Sequence, residues 1–157
     1  MASQTSDFRP SSTTYYAGEL DNRWTDLDHP LFYYDPEFKE YCCKELAQLG
    51  TLQPGWDYEG APAIDRSIIN AVRGFIESLP EFIATRPMIV PMSSGRVQLE
   101  WHHGPTTLEL EFESPDSVHY LKWDSTSHTA EEDIVPASHR DVLVGLIRWF
   151  MKGMLSG

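Results

Sequence analysis

Basic residues are scarce in this chain of 157 residues: 12 lysines and arginines stand against 24 acids, a formal charge of −12 with histidine neutral. A field of that sign repels phosphate backbones and anionic membrane surfaces. Direct nucleic-acid binding and membrane attachment are therefore not expected, and a protein with a basic surface is the fitting counterpart. Cysteine is scarcer still. The only two, Cys42 and Cys43, are neighbours, which cannot staple distant parts of a chain, so they read as reduced thiols on a helix. Long apolar runs are missing too: no window approaches the roughly 18 apolar residues of a membrane span. The opening MASQTSDFRPSS has neither the basic run nor the apolar core of a signal peptide. A cytoplasmic location is expected.

Motifs of familiar chemistry are also absent. There is no phosphate-cradling P-loop, no G-x-G-x-x-G, no C-x-x-C pair, no H-E-x-x-H and no G-x-S-x-G. Nucleotide, zinc-ribbon and nucleophile-elbow functions thus have no support, and no cofactor is expected.

What is present, at 41% hydrophobic and 23% charged residues, suits one globular domain with a sizeable core. Residues 1–30 carry Ser/Thr clusters without a sustained period and read as an arm; residues 31–157 read as a single α+β domain. The arm is not a plain solvated tail. Nine of the 19 aromatics fall in residues 1–42, among them Tyr15, Tyr16 and Trp24, interleaved with Asp21, Asp26 and Asp28. Such rings pack either on their own domain or in a partner's groove.

Asp35 as N-cap, Pro36 at the first helical position, apolar Phe38, Cys42, Leu46 and Leu49, and Gly50 as terminator predict a helix over about 36–49. A second runs from an Asp65 cap through Ile68, Ile69, Val72, Phe75, Ile76 and Leu79 to Pro80. From Met88 the period changes to two. MIV, RVQLEWHHG and TTLELEFE read as strands. With HGPT as the turn, Trp101 faces Leu108, Leu99 faces Leu110 and Glu100 faces Glu109. VHYLKWD is the next strand, with Val118/Tyr120 and Leu121/Trp123 both acceptable as its inward set. DSTSHTAEED then reads as a polar loop. A final helix is capped by Ser138 and carries a stripe of Val142, Leu143, Leu146, Ile147, Phe150, Met151 and Met154. The expected fold is α+β: two N-terminal helices, an antiparallel meander of three to four strands, and a C-terminal helix packed on one face of the sheet.

Between the first two helices lies GWDYEGAP, residues 55–62. Gly55 and Gly60 suit turns, Trp56 can lock a corner, and Asp57 can accept backbone N–H bonds, so turn chemistry accounts for nearly every residue. The run GWDYEGAPAID, followed by SSGRVQLEW, an acidic LELEF strand and a V-x-Y-L-x-W-D strand, resembles a group of small bacterial proteins with a GWD-x-x-GA-x-P and VQLEW pattern. The likeness covers residues 46–125. It implies a bacterial or phage-related origin and a shared α+β module, and it marks Trp56, Asp57, Gly60, Gln98, Glu100 and Trp101. It implies no reaction.

Gln98, Glu100, His102, Glu109, Glu111 and Glu113 fall on one face of the hairpin. That surface is either a solvated sheet face or a docking surface for a basic partner. The expected function is a non-catalytic, acidic protein-binding module, of the antitoxin, immunity, anti-defence or adaptor kind. Glu100, Glu109, Glu111, Glu113, Tyr15, Tyr16 and Trp24 are its candidate contacts, and Gly55, Trp56, Asp57, Gly60, Gln98 and Trp101 its structural motif. Two alternatives remain open at this point. One is a nucleic-acid mimic that blocks a DNA-binding protein or nuclease; the other is a metal-dependent enzyme built on Asp57, Glu59, Glu100 and His102. A homodimer through the final helix is compatible with its stripe.

Overall fold

The computed structural model describes residues 35–83 and 85–156. The expected arm, with Tyr15, Tyr16 and Trp24, lies outside the described residues. Asp35, Pro36 and 80–83 group apart from a larger body, formed by 37–79 and 85 onward, that holds every helix and strand below. Within the smaller group, the Ile83 N–H donates to the Pro80 carbonyl at 3.0 Å.

The larger body is α+β. Helices α1 (Phe38–Leu49) and α2 (Arg66–Glu77) precede five strands, β1 (Met88–Pro91), β2 (Val97–His103), β3 (Thr106–Ser114), β4 (Ser117–Asp124) and β5 (Thr129–Pro136), and helix α3 (Arg140–Ser156) closes the chain. The strands form one antiparallel meander in the order β1-β2-β3-β4-β5.

Alternation sets the sidedness of the sheet. Val97, Leu99 and Trp101 on β2, Leu108, Leu110 and Phe112 on β3, and Val118 and Tyr120 on β4 are all buried. They fall on one face because the register pairs Trp101 with Leu108, Leu99 with Leu110, and Leu110 with Tyr120, as the HGPT turn predicts. That register also selects Val118/Tyr120 as the inward set of β4. The helices cover this face: α1 packs chiefly on β1, α2 on β2 and β3, and α3 on β3. Phe75 of α2 meets Phe112 of β3 with ring centroids 5.7 Å apart. The Trp101 indole N–H, which burial would otherwise orphan, donates to the Thr85 carbonyl at 2.8 Å.

Helix ends are tied across the layer. The last carbonyls of α2 accept from cations on the other two helices: Lys39 Nζ donates to Glu77 O at 2.9 Å and the Arg140 guanidinium to Ser78 O at 2.8 Å. Both contacts satisfy groups that a helix C-terminus leaves open and suit its negative pole. Asp65 caps α2 as expected, accepting from the Ser67 N–H and hydroxyl at 2.9 and 2.6 Å.

Three expectations are corrected. The meander has five strands rather than three to four, because residues 129–136, within and just beyond the expected polar loop, form β5. Its helix-side positions Glu131 and Asp133 are exposed, so the strand has no buried face and carries no apolar alternation. Helix α1 starts at Phe38 behind a Pro36–Glu37 turn, with Glu37 at the N-cap and no side-chain cap. Helix α3 starts at Arg140, where the His139 carbonyl accepts from the Val142 and Leu143 N–H groups, and Ser138 lies in the preceding turn. That start turns Val142, counted above in the apolar stripe, out to 42% exposure.

The β1–β2 turn shows how tightly the helix layer meets the sheet. Gly95 has φ +87°, and a Cβ there would stand 3.2 Å from the Ala63 carbonyl oxygen; the Gly95 carbonyl meanwhile accepts from the Asp65 N–H at 3.0 Å. Gly95→Ala should destabilise the protein by about 1–2 kcal/mol through its backbone conformation alone. Gly74, exposed in the middle of α2 with nothing within 4 Å of an added Cβ, gives the opposite sign. Gly74→Ala should stabilise by roughly 0.5–1 kcal/mol. Urea unfolding of the two variants checks both, and equal effects would contradict the geometry.

Candidate functional site

GWDYEGAP is a self-bonded corner. The Gly55 N–H donates to the Ala61 carbonyl at 2.7 Å, closing the loop, and the Trp56 indole N–H donates to Pro62 O at 2.9 Å. One Asp57 carboxylate oxygen accepts from the Glu59 and Ala61 N–H groups, each at 2.9 Å. Those bonds hold the Asp57 carboxyl below its ordinary range. Gly55 and Gly60 both have positive φ, +86° and +92°, conformations in which a side chain is strained. The Trp56 ring is half-buried rather than engulfed. The large apolar residue the loop presents outward is Tyr58, 98% exposed. The corner reading of these residues therefore has full hydrogen-bond support. The closing proline of the GWD-x-x-GA-x-P pattern has no counterpart, since Ala63 stands at that position.

The sheet face away from the helices is built differently. Across the strands, one row reads Met88, Glu100, Glu109, Leu121, Glu132; the next reads Val90, Gln98, Glu111, His119, Ile134; a third reads His102, Thr107, Trp123, Ala130. Acidic and polar side chains hold the central strands β2 and β3, and apolar Met88, Val90, Leu121, Trp123 and Ile134 flank them on β1, β4 and β5. Met88 and Ile134 are 59% and 56% exposed, while the Glu100 and Glu111 side chains keep only 19% and 18% exposure. The half-buried acids lie on inner strands and the exposed apolar side chains on the edge strands, where Glu132 is also exposed, at 67%.

Neighbouring groups manage most of these carboxylates. Gln98 Nε2 donates to Glu100 at 2.6 Å, and His102 Nε2 lies 3.4 Å from the other oxygen of Glu100. Arg96 reaches Glu111 and Glu113 at 3.3 and 3.4 Å. Glu113 follows Glu111 by alternation, and the β3–β4 register leaves it unpaired in a bulge between Phe112 and Ser114. Among the described residues, no lysine or arginine forms an ion pair with Glu109. Burial, and then the charge of Glu100 opposite, push its carboxyl above the usual range, with His102 and His119 partly offsetting. The four expected carboxylates thus do share one surface.

The residues of the expected metal enzyme do not converge as a set. Glu100 and His102 are in contact, but Asp57 is committed to its own loop and Glu59 is exposed. Among the described residues, the one group able to present three ligand atoms to an ion is Glu111, Glu113 and His119, within 4.8 Å of one another. It contains none of the four. The Arg96 guanidinium already occupies both of its carboxylates, placing a fixed cation where a metal ion would sit.

A second set of polar groups lies on the helix side of β4 and β5, beside Trp149 of α3. The Tyr120 hydroxyl donates to Glu131 at 2.6 Å, Lys122 Nζ lies 3.3 Å from Glu131, and the same ammonium stands 4.9 Å from the Trp149 ring centroid. The charged acceptor pushes the Tyr120 phenol up to about 12, and the Tyr120 hydroxyl, with Lys122, holds Glu131 below its ordinary range. Period-two reasoning could not find this cluster because its strand was read as a loop.

Two measurements check these electrostatics. Since folding raises the Glu109 pKa, its charge destabilises the fold at neutral pH, and the penalty disappears as pH falls below its ordinary value of 4.5. Glu109→Gln should therefore raise stability at pH 7 by about 0.2–1 kcal/mol, the scale of a like-charged cross-strand pair. Thermal unfolding at pH 7 and pH 4 should show the gain only at pH 7. For Tyr120, absorbance titration should resolve one tyrosine ionising near 12, and Glu131→Gln should bring it back toward the others. Its bond to Glu131 stabilises the fold fully between the ordinary carboxylate value of 4.5 and pH 10, and loses that effect as pH rises through 12 or as acid protonates Glu131.

No family model, curated protein or solved structure matches this chain.

Proposed function

We propose that the protein is a non-catalytic binding module that docks a basic protein surface on the sheet face away from its helices. The observation that carries this reading is a cluster of half-buried acids, centred on Glu100 and Glu109, flanked by apolar side chains on the same face. Apolar Met88, Leu121, Trp123 and Ile134 offer area that association can remove from water, and the acids supply orientation and steering. A lysine or arginine set against Glu109 would relieve the like-charge repulsion that its fold tolerates alone. An antitoxin, immunity, anti-defence or adaptor component of a bacterial or phage system would use such a surface. The nucleic-acid-mimic alternative is less well supported, because a phosphate-like ridge has no use for Met88, Leu121, Trp123 and Ile134 among its charges.

The test starts with capture from a nuclease-treated lysate of the source organism, using the full chain beside a form beginning at Asp35. Association kinetics with the captured protein follow. Glu109→Lys combined with Glu111→Lys should slow association by roughly tenfold or more at low salt and leave dissociation little changed. An unaltered association rate would overturn the sheet-face reading. Loss of binding only in the shortened form would move the contact to residues 1–34.

A further inference from the structure

We propose that β5 is a docking edge at which an extended basic segment of a partner protein adds as a sixth strand. The inference rests on the protein-binding reading above and deepens it by naming the partner's chemistry and mode.

Strand β5 closes the sheet and, among the described residues, pairs only with β4. Its far edge therefore presents main-chain N–H and carbonyl groups to whatever comes alongside. It is eight residues long, and every residue but Val135 is exposed. The opposite edge is unlike it: β1 has four residues and ends in Pro91, a residue that cannot donate to a ladder. Room also exists on both faces of an added strand. On the helix side, α3 stops short of β5 and leaves a trough of about 400 Å³ bordered by Lys122, Asp124, Thr129, Glu131 and Trp149. On the other side, Glu132 and Ile134 continue the acidic and apolar face described above.

Charge selects the occupant. Glu131, Glu132 and Asp133 are consecutive, so acids project from both faces of the strand, and a neighbour at those positions must carry basic side chains on both of its own faces. A second copy of β5 is the wrong partner, because strand-to-strand pairing would bring the two acidic runs together. Asp133 adds a requirement. Its carboxylate accepts the Ile134 N–H at 2.7 Å, which keeps that amide from an incoming carbonyl. A lysine or arginine drawn to Asp133 competes for the carboxylate and releases the amide, so a basic strand opens the edge that a neutral one finds blocked.

The experiment uses the full chain and an eight-residue peptide with three consecutive lysines at its centre and valines on either side, which puts basic side chains on both faces of the strand, titrated by calorimetry at low salt. Two analogues, N-methylated on one or the other set of alternate amides, keep the charge and remove hydrogen-bond donors from one edge each. The plain peptide should bind; one of the methylated pair should bind at least about tenfold more weakly, and the other should not. Glu132→Lys with Asp133→Lys should weaken the plain peptide by at least about tenfold, while Glu109→Lys with Glu111→Lys should change it by less than about threefold. Equal binding of both methylated analogues would reduce the interaction to charge alone and overturn strand addition, whatever the variants' own folding. Loss only in the Glu109/Glu111 variant would place the peptide on the sheet face, overturning the edge and supporting the docking reading. No binding of the plain peptide would overturn the edge proposal, leaving the association kinetics with the captured protein to judge the docking reading separately.

Discussion

Eight buried side chains from three neighbouring strands, Val97, Leu99, Trp101, Leu108, Leu110, Phe112, Val118 and Tyr120, make this sheet one-sided, and most other features follow from that constraint. An apolar face of this size must be covered, and α1, α2 and α3 lie on β1 to β3 to cover it. Because successive side chains point to opposite faces, the residues between those eight are forced onto the other side. They are Gln98, Glu100, Glu109, Glu111, His119 and Leu121. A slip of one residue in any strand would exchange the two sets, so the turn at HGPT fixes both the core and the acidic surface.

The same constraint explains where electrostatic cost accumulates. Four of the face's glutamates have a local partner: Gln98 and His102 for Glu100, Arg96 for Glu111 and Glu113, and His119 for Glu132. Glu109 sits at the centre, directly opposite Glu100, and is held above its usual range by burial and its neighbours. A fold selected only for stability has simple remedies at such a position, glutamine among them. The open face and the open edge meet along β5, whose Glu132 and Ile134 belong to both. A partner strand at that edge would extend the acidic and apolar face rather than create a separate site.

Much of this was legible in the sequence where hydrophobic alternation is uninterrupted. The β2–β3 register could be read from VQLEW and LELEF because both strands bury one face and expose the other. The corner at GWDYEGAP was legible because glycine and aspartate have specific turn roles, which Gly55, Gly60 and Asp57 fill. What stayed hidden had no such signal. Strand β5 buries neither face, so TAEEDIVP carries no period and resembles a loop. The caps at Asp35 and Ser138 have the right residue types, yet local turns start those helices two to three residues later. Alternation places Glu111 and Glu113 together, but the contacts that Arg96 makes with both come from a side chain in the β1–β2 turn, which no period reports.

The central claim is that binding takes place on the sheet rather than on the helices. Carboxyl footprinting tests it most directly: the full chain is labelled with carbodiimide and an amine, free and in complex with its captured partner, and modification is mapped by mass spectrometry. The account predicts protection at Glu100, Glu109, Glu111 and Glu132, with Glu40 of α1 and Glu77 of α2 labelled equally in both states. Protection confined to the helix glutamates, with the sheet carboxylates unchanged, would contradict it.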